Sequence, residues 1–300
     1  MMQTRTRAEE FAGLTTAMIT PFKNGKIDFA RLEEQIEYQI ASGTRVLSPT
    51  GTTGEAPTLT HEEQREVIKK TVEFANGRAK VLAGTGSNNT VEALELTQYA
   101  EKVGADAALL IVPYYNKPTQ EGMYQHFKAV AESVGIPICV YNVPGRVGKA
   151  IDVETILRLA EIPNVALVKE ASGSMDAASR IIAATDLTVL SGDDSLTLPF
   201  MSLGAKGVVS VVGNFAAPEL VAMCDAMNAG RLEDARRAHY RLLPLCRKAL
   251  SLATNPIPVK KAMQILGRDT GEMRLPLTEL TPELTDDLRA ALRQYGLIHD

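Results

Sequence analysis

Eight short apolar runs, at 14–20, 45–50, 80–86, 107–113, 136–142, 165–171, 187–192 and 207–212, alternate with helix-length amphipathic segments. Each run spans six or seven residues and ends at or beside Gly, Pro, Asn or Ser. Most are rich in Val, Leu and Ile with little polar alternation, the pattern of parallel strands buried on both faces. The intervening segments carry helix-start signals. Asp28 precedes a stretch that places Leu32, Ile36 and Ile40 on one face, and Thr60 with Glu63 forms a capping box. Asn89 or Thr90, Thr119 and Asp152 open the next three helices.

Regular β-α alternation implies a parallel sheet covered by helices. Eight units between residues 14 and 228 average about 27 residues each, which suits a closed barrel. An open doubly wound sheet would need a phosphate loop or a dinucleotide fingerprint. Gly84-Thr85-Gly86 lacks the third glycine, and no G-K-[ST] occurs. From residue 229 the strand signal stops, and 231–253, 259–267 and 282–295 read as helices interrupted by Pro256 and Pro258. The expected fold is therefore an α/β (β/α)8 TIM barrel over 1–228, carrying the active site, with a C-terminal helical appendage over 229–300.

Composition removes several function classes. Lys and Arg total 32 against 36 Asp and Glu, a net charge of −4, which does not suit a nucleic-acid protein. No apolar run approaches the ~20 residues of a membrane span. The arginine-bearing start MMQTRTRAEEF has no apolar stretch behind it and does not read as a secretory signal. Cys139, Cys224 and Cys246 lack C-x-x-C spacing, so reduced buried thiols and a cytoplasmic location are expected. The four histidines are scattered, which argues against a metal site. Asp193 and Asp194 are read as caps of a helix beginning near Ser195.

Barrel chemistry sits at the C-terminal ends of the strands. Lys169 interrupts an apolar run there, where a rim lysine reaching solvent is the plain alternative. A lysine amine is nucleophilic only when unprotonated, and apolar surroundings favour that form. Such an amine forms a Schiff base with a carbonyl substrate. Glu170 should face the opposite way by strand alternation. Tyr141 ends the neighbouring strand and could face Lys169 as a proton-transfer phenol. Thr52 and Thr53, bracketed by Gly51 and Gly54, read either as an ordinary turn or as an anion nest fit for a carboxylate. Arg146, otherwise a surface arginine, could hold a second carboxylate.

These residues resemble the dihydrodipicolinate synthase / N-acetylneuraminate lyase family. The likeness runs from 13 to 277 and is carried by GTTGE (51–55), PYYN (113–116), YNVPGR (141–146), KEASG (169–173), SGDD (191–194) and NPIPVK (255–260). The double threonine, double tyrosine and Arg146 resemble the pyruvate–semialdehyde synthases more than the sialic-acid lyases.

The resemblance implies an imine between Lys169 and pyruvate, no separate cofactor, and condensation with L-aspartate 4-semialdehyde in lysine and diaminopimelate biosynthesis. It implies a proton relay of Tyr141, Thr52 and Tyr115, with Tyr115 reaching a neighbouring subunit's site. Thr53 would hold the pyruvate carboxylate, Val209 and Gly192 would line the pyruvate site, and Arg146 would receive the second carboxylate. A homotetramer, as a dimer of dimers, is implied as well. His61, Asn88, Glu92 and Tyr114 match the family's allosteric lysine site, while Ala56 and Gln64 depart from it, so inhibition by lysine stays open. The competing readings are a related aldolase or dehydratase acting on a 2-keto-3-deoxy sugar acid, and a non-catalytic barrel.

Overall fold

The computed structural model describes residues 7–299. The apolar runs become strands β1 (Gly13–Ala17), β2 (Val46–Ser48), β3 (Lys80–Gly84), β4 (Ala107–Ile111), β5 (Ile138–Asn142), β6 (Val165–Glu170), β7 (Thr188–Ser191) and β8 (Gly207–Ser210). Each pairs in parallel with the next, and β8 closes on β1. A two-stranded ribbon, Phe22–Lys23 with Lys26–Ile27, follows β1.

The strands are shorter than the apolar runs because the chain leaves the ladder at the rim. The run 45–50 stops pairing at Ser48, and Thr50 takes a positive φ of 54° as the chain turns inward. Side chains then alternate across the sheet wall. Val46, Leu82, Leu109, Cys139, Leu167, Leu190 and Val209 point into the barrel and form one cluster with Phe11, which precedes β1. Their neighbours Leu47 and Val81 pack outward against Leu32, Ile36 and Val67. Val140 and Val168 meet Phe127 and Ile156 in the same way. Arg7 donates to the carbonyls of Ala160, Ile162 and Val165 at 2.9, 3.2 and 3.0 Å, tying the N-terminal segment to the barrel.

The helices are α1 (Phe29–Ala41), α2 (His61–Ala75), α3 (Thr90–Lys102), α4 (Gln120–Ala131), α5 (Pro144–Val147), α6 (Val153–Leu159), α7 (Met175–Ala184), α8 (Thr197–Ser202), α9 (Gly213–Asn228), α10 (Leu232–Ser251), α11 (Ile257–Ile265) and α12 (Pro282–Tyr295). The side chains of Asp28 and Thr119 cap α1 and α4, and Thr60 with Glu63 makes a reciprocal capping box on α2. Asn89 rather than Thr90 caps α3; Thr90 lies inside the helix and bonds His126 Nδ1 at 2.9 Å. Asp152 stands at the N-cap of α6, but its side chain makes no capping bond. Helices α9–α12 share one apolar cluster with Leu14 of β1 and Val208 of β8, so the barrel's first and last strands lie under them.

The paired caps expected at Asp193 and Asp194 separate. Asp193 accepts from Ser195 N at 3.0 Å and caps the turn. Asp194 is buried and accepts from Val211 N at 2.9 Å, Val212 N at 3.3 Å and the Ser210 hydroxyl, tying the β7 loop to the end of β8. Burial pushes its carboxyl up to about 6 despite these donors. The folded state then holds a proton between about pH 4 and 6 that the unfolded chain has lost, so this group's contribution to stability falls as pH rises through that window. Two units correspond to about 3 kcal/mol. Urea unfolding from pH 4 to 7 should therefore show Asp194→Asn gaining on the wild type by up to about that amount as pH rises; parallel profiles would contradict the shift.

Candidate active site

Lys169 and Tyr141 occupy paired, inward positions on β6 and β5. The Lys169 side chain is only 6% exposed, and its Nζ lies 3.9 Å from the centroid of the Tyr141 ring. The two residues that strand pairing predicted as partners are thus in contact. Glu170 faces the other way, as alternation requires, and accepts from Asn142 Nδ2 at 3.0 Å and Ser172 N at 2.6 Å. It braces the loop after β6. Cys139 lies on the inner wall beside the lysine, and burial pushes its thiol up to about 12, which leaves it unreactive.

Gly192, just beyond β7, makes room for the lysine. A Cβ there would stand 2.5 Å from Ala171 Cβ and 3.2 Å from Lys169 Cε. Gly192 N also donates to Glu170 O at 2.7 Å. Val209 is inward on β8 and 1% exposed, so its side chain forms part of the packed interior.

The threonine turn is held from inside and outside. Glu55 N and Ala56 N close it on the carbonyls of Thr52 and Gly51 at 3.1 and 3.2 Å, so those two amides are not available as nest donors. Gly54 packs so closely that a Cβ would meet Thr50 N at 2.9 Å. Thr53 is buried, and its hydroxyl accepts from Asn255 Nδ2 at 2.9 Å. Behind it the fully buried Glu55 carboxylate meets the fully buried Lys260 Nζ at 2.7 Å. Lys260 also donates to Thr20 O at 2.9 Å and lies over the Phe22 ring. Arg274 N donates to Glu55 at 3.3 Å, and the Arg274 guanidinium forks onto Glu63 at 2.6 and 2.7 Å, holding that carboxyl below the usual range.

Asn255, Lys260 and Arg274 were assigned no role in the sequence. Asn255 and Lys260 open and close the NPIPVK motif (255–260), which marks the segment without giving either residue a role, and Arg274 lies outside every motif. Their partners lie about 200 residues away, and no local pattern encodes such a contact.

A cavity of about 450 Å³ opens beside Tyr141 and the threonine turn; the buried Lys169, Thr53 and Val209, and Gly192, do not themselves line it. Thr52, Tyr141, Arg146 and Asn255 line one part of it. Arg146 sits on α5, a single turn closed by Gly148 at a φ of 77°; it is exposed and forms no ion pair among the described residues. His61, Glu92 and Tyr114 line another part, with Gln64 beside them. Glu92 lies 3.8 Å from His61 and accepts from the Ser87 hydroxyl at 2.7 Å, which with Asn89 and His61 holds its carboxyl low against the opposing effect of burial. Asn88 touches this group only through Tyr114 O, at 3.2 Å. Tyr115 stands apart, 88% exposed at a φ of 68°, and does not line the cavity.

Removing one partner of a buried ion pair strands the other, at a cost of about 3–5 kcal/mol. Lys260→Met should show that loss in urea unfolding, and Lys260→Met with Glu55→Gln should recover most of it. Equal losses in the two variants would mean that the pair is not what the turn depends on.

The dihydrodipicolinate synthetase family model matches residues 10–295. A 4-hydroxy-tetrahydrodipicolinate synthase of Methanococcus maripaludis is 50% identical over 287 residues, covering 95% of this chain and 99% of the relative. A solved structure described as the first monomeric dihydrodipicolinate synthase variant is 40% identical, with a TM-score of 0.94 over 96% of this chain and 98% of its own. The chloride-inhibited dihydrodipicolinate synthase of Acinetobacter baumannii, complexed with pyruvate, is 44% identical, with a TM-score of 0.93 over 96% of this chain and all of its own. With a barrel, a buried inward lysine and this near-complete match, the chain belongs to the dihydrodipicolinate synthetase family.

Proposed function

We propose that this chain is a lyase that condenses pyruvate with L-aspartate 4-semialdehyde to 4-hydroxy-tetrahydrodipicolinate, the first committed step toward diaminopimelate and lysine. The observation that carries the reading is the buried Lys169 amine in contact with the Tyr141 ring at the C-terminal end of paired strands. Relatives at half identity bear the name of that synthase, and the Acinetobacter structure holds pyruvate.

Lys169 Nζ attacks the ketone carbon of pyruvate to give a carbinolamine, which loses water to form the imine. The imine draws electrons from the methyl carbon, which gives up a proton and becomes the enamine carbon. That carbon bonds to the aldehyde carbon of the semialdehyde, whose oxygen takes a proton. The substrate's amine then adds to the imine carbon and displaces Lys169 as the free amine, closing the ring. The imine supplies the electron sink, so no separate cofactor is required.

Tyr141 and Thr52 pass the protons, Thr53 receives the pyruvate carboxylate, and Gly192 and Val209 shape the pyruvate site. Arg146, exposed on the cavity wall and paired with no carboxylate among the described residues, receives the carboxylate of the semialdehyde. Pyruvate consumption should depend on the semialdehyde and vanish in Lys169→Ala. Tyr141→Phe should lose about 10²- to 10⁴-fold in kcat, the usual worth of a positioned acid–base group. Pyruvate binding without semialdehyde-dependent consumption would overturn the assignment in favour of a sugar-acid aldolase.

Tyr115 supports an oligomeric enzyme, a dimer of dimers in our reading. Its exposed aromatic ring, held in left-handed backbone outside its own cavity, is what supports a role in a second copy. Co-expressed Tyr115→Phe and Lys169→Ala chains should then show more activity than either alone, because mixed dimers contain one site with both groups intact. No gain in a mixed oligomer would remove Tyr115 from the relay.

The His61, Asn88, Glu92 and Tyr114 group is read as a subsite for free lysine, with Glu92 facing the ligand's amine. Adding lysine to the consumption assay tests it. A cytoplasmic location completes the reading, supported by three buried free thiols and by the absence, among the described residues, of any helix long and apolar enough to cross a membrane.

A further inference from the structure

We propose that Asn255 is a positioning residue for the substrate carboxylate, fixing the Thr53 hydroxyl as a donor, with the buried Lys260–Glu55 pair clamping the turn on which Thr53 stands. The inference rests on the reading of Thr53 as the residue that receives the pyruvate carboxylate.

A hydroxyl has one proton and two lone pairs and rotates to suit its partners. Asn255 Nδ2 donates to Thr53 Oγ1 at 2.9 Å and occupies a lone pair. The Thr53 proton is then directed away from Asn255 and is left to a bound anion. Asn255 itself lines the cavity, and its Oδ1 is buried with no protein partner, so the amide is held by the Thr53 contact and not by a network of its own.

The backing is equally specific. Thr53 lies two residues before Glu55, whose carboxylate is gripped by Lys260 Nζ at 2.7 Å and Arg274 N at 3.3 Å. Lys260 lies five residues after Asn255, on α11, and reaches Thr20 O at 2.9 Å on the loop after β1. One segment of the C-terminal helices therefore holds both the threonine's hydroxyl and the floor of its turn. Closely packed interiors transmit small displacements, so this segment sets where the carboxylate lands, although none of its residues takes part in bond making.

The test uses the full-length enzyme and three variants. Asn255→Ala should raise the pyruvate KM about 3- to 10-fold, the worth of one hydrogen bond between neutral groups. Its kcat and semialdehyde KM should stay within about threefold of wild type. Asn255→Asp keeps the size but accepts the Thr53 proton, so it should raise the pyruvate KM at least as far; it carries the test if the alanine variant does not fold. Asn255→Gln, which retains the donor, should recover part of the loss. Borohydride should still trap the imine on Lys169 in all three at saturating pyruvate.

An unchanged pyruvate KM in the alanine and aspartate variants would overturn the inference, as would an equal fall of kcat and both substrate affinities, the mark of general loosening. A wild type that traps no pyruvate would overturn the functional reading and this inference with it. A wild type that traps pyruvate alongside indifferent variants would overturn the inference alone.

Discussion

Closure of the eight-stranded ring is the constraint from which the site follows. A closed parallel barrel has no free edge, and each strand must alternate side chains between a packed interior and a covering helix layer. Most interior positions are occupied by medium-sized apolar side chains such as Val46, Leu82, Leu109, Leu167, Leu190 and Val209. A lysine at such a position has few routes for its alkyl chain. Here the route exists because residue 192 on the neighbouring strand's loop has no side chain and because a tyrosine ring lies alongside the amine. The same ladder that pairs Tyr141 with Lys169 turns Asn142 and Glu170 outward together, where they bond each other and hold the loop after β6.

The second element of the site comes from the other end of the chain. The threonine turn leaves β2 with positive φ at Thr50 and Glu55, a conformation that a local sequence does not hold unaided. It is supported by an ion pair removed completely from solvent. Such a pair gains little over an apolar replacement in net stability, but it is expensive to break, and it admits only one arrangement of its partners. For a turn proposed to present a hydroxyl to a small anion, that restriction on geometry matters more than the energy.

The cavity joins groups of different character. It is lined by Tyr141, which touches the lysine, by Thr52, by Arg146, which forms no ion pair among the described residues, and by the Glu92–His61 pair with its own donors. A guanidinium with no ion pair among the described residues and a carboxylate with its own donors thus share one opening. Tyr115 does not line this opening and stands exposed on the surface.

The barrel was legible in the sequence because burial of strands on both faces leaves continuous apolar runs, and because Thr60, Thr119 and Asp28 cap helices through contacts three residues long. Lys169 and Tyr141 were legible for the same reason: a polar group that breaks such a run at its C-terminal end stands out, and neighbouring strands bring two such breaks together. Strand ends were overestimated where the runs were carried past the last ladder bond to the turn residues that close them, as at Pro49-Thr50 and Thr85-Gly86. The Asp193–Asp194 pair looked like one feature but divided into a cap and a buried tie, because only three-dimensional packing brings the Val211 and Val212 amides to Asp194. Asn255, Lys260 and Arg274 carried no pattern that pointed at the threonine turn. Periodicity and capping are local and survive in one dimension, so the sequence by itself determined the elements, their order and the pairing of the buried lysine with a tyrosine. Contacts between residues some 200 positions apart depend on how the ring closes and how the last helices pack on it, and those only the tertiary structure decided.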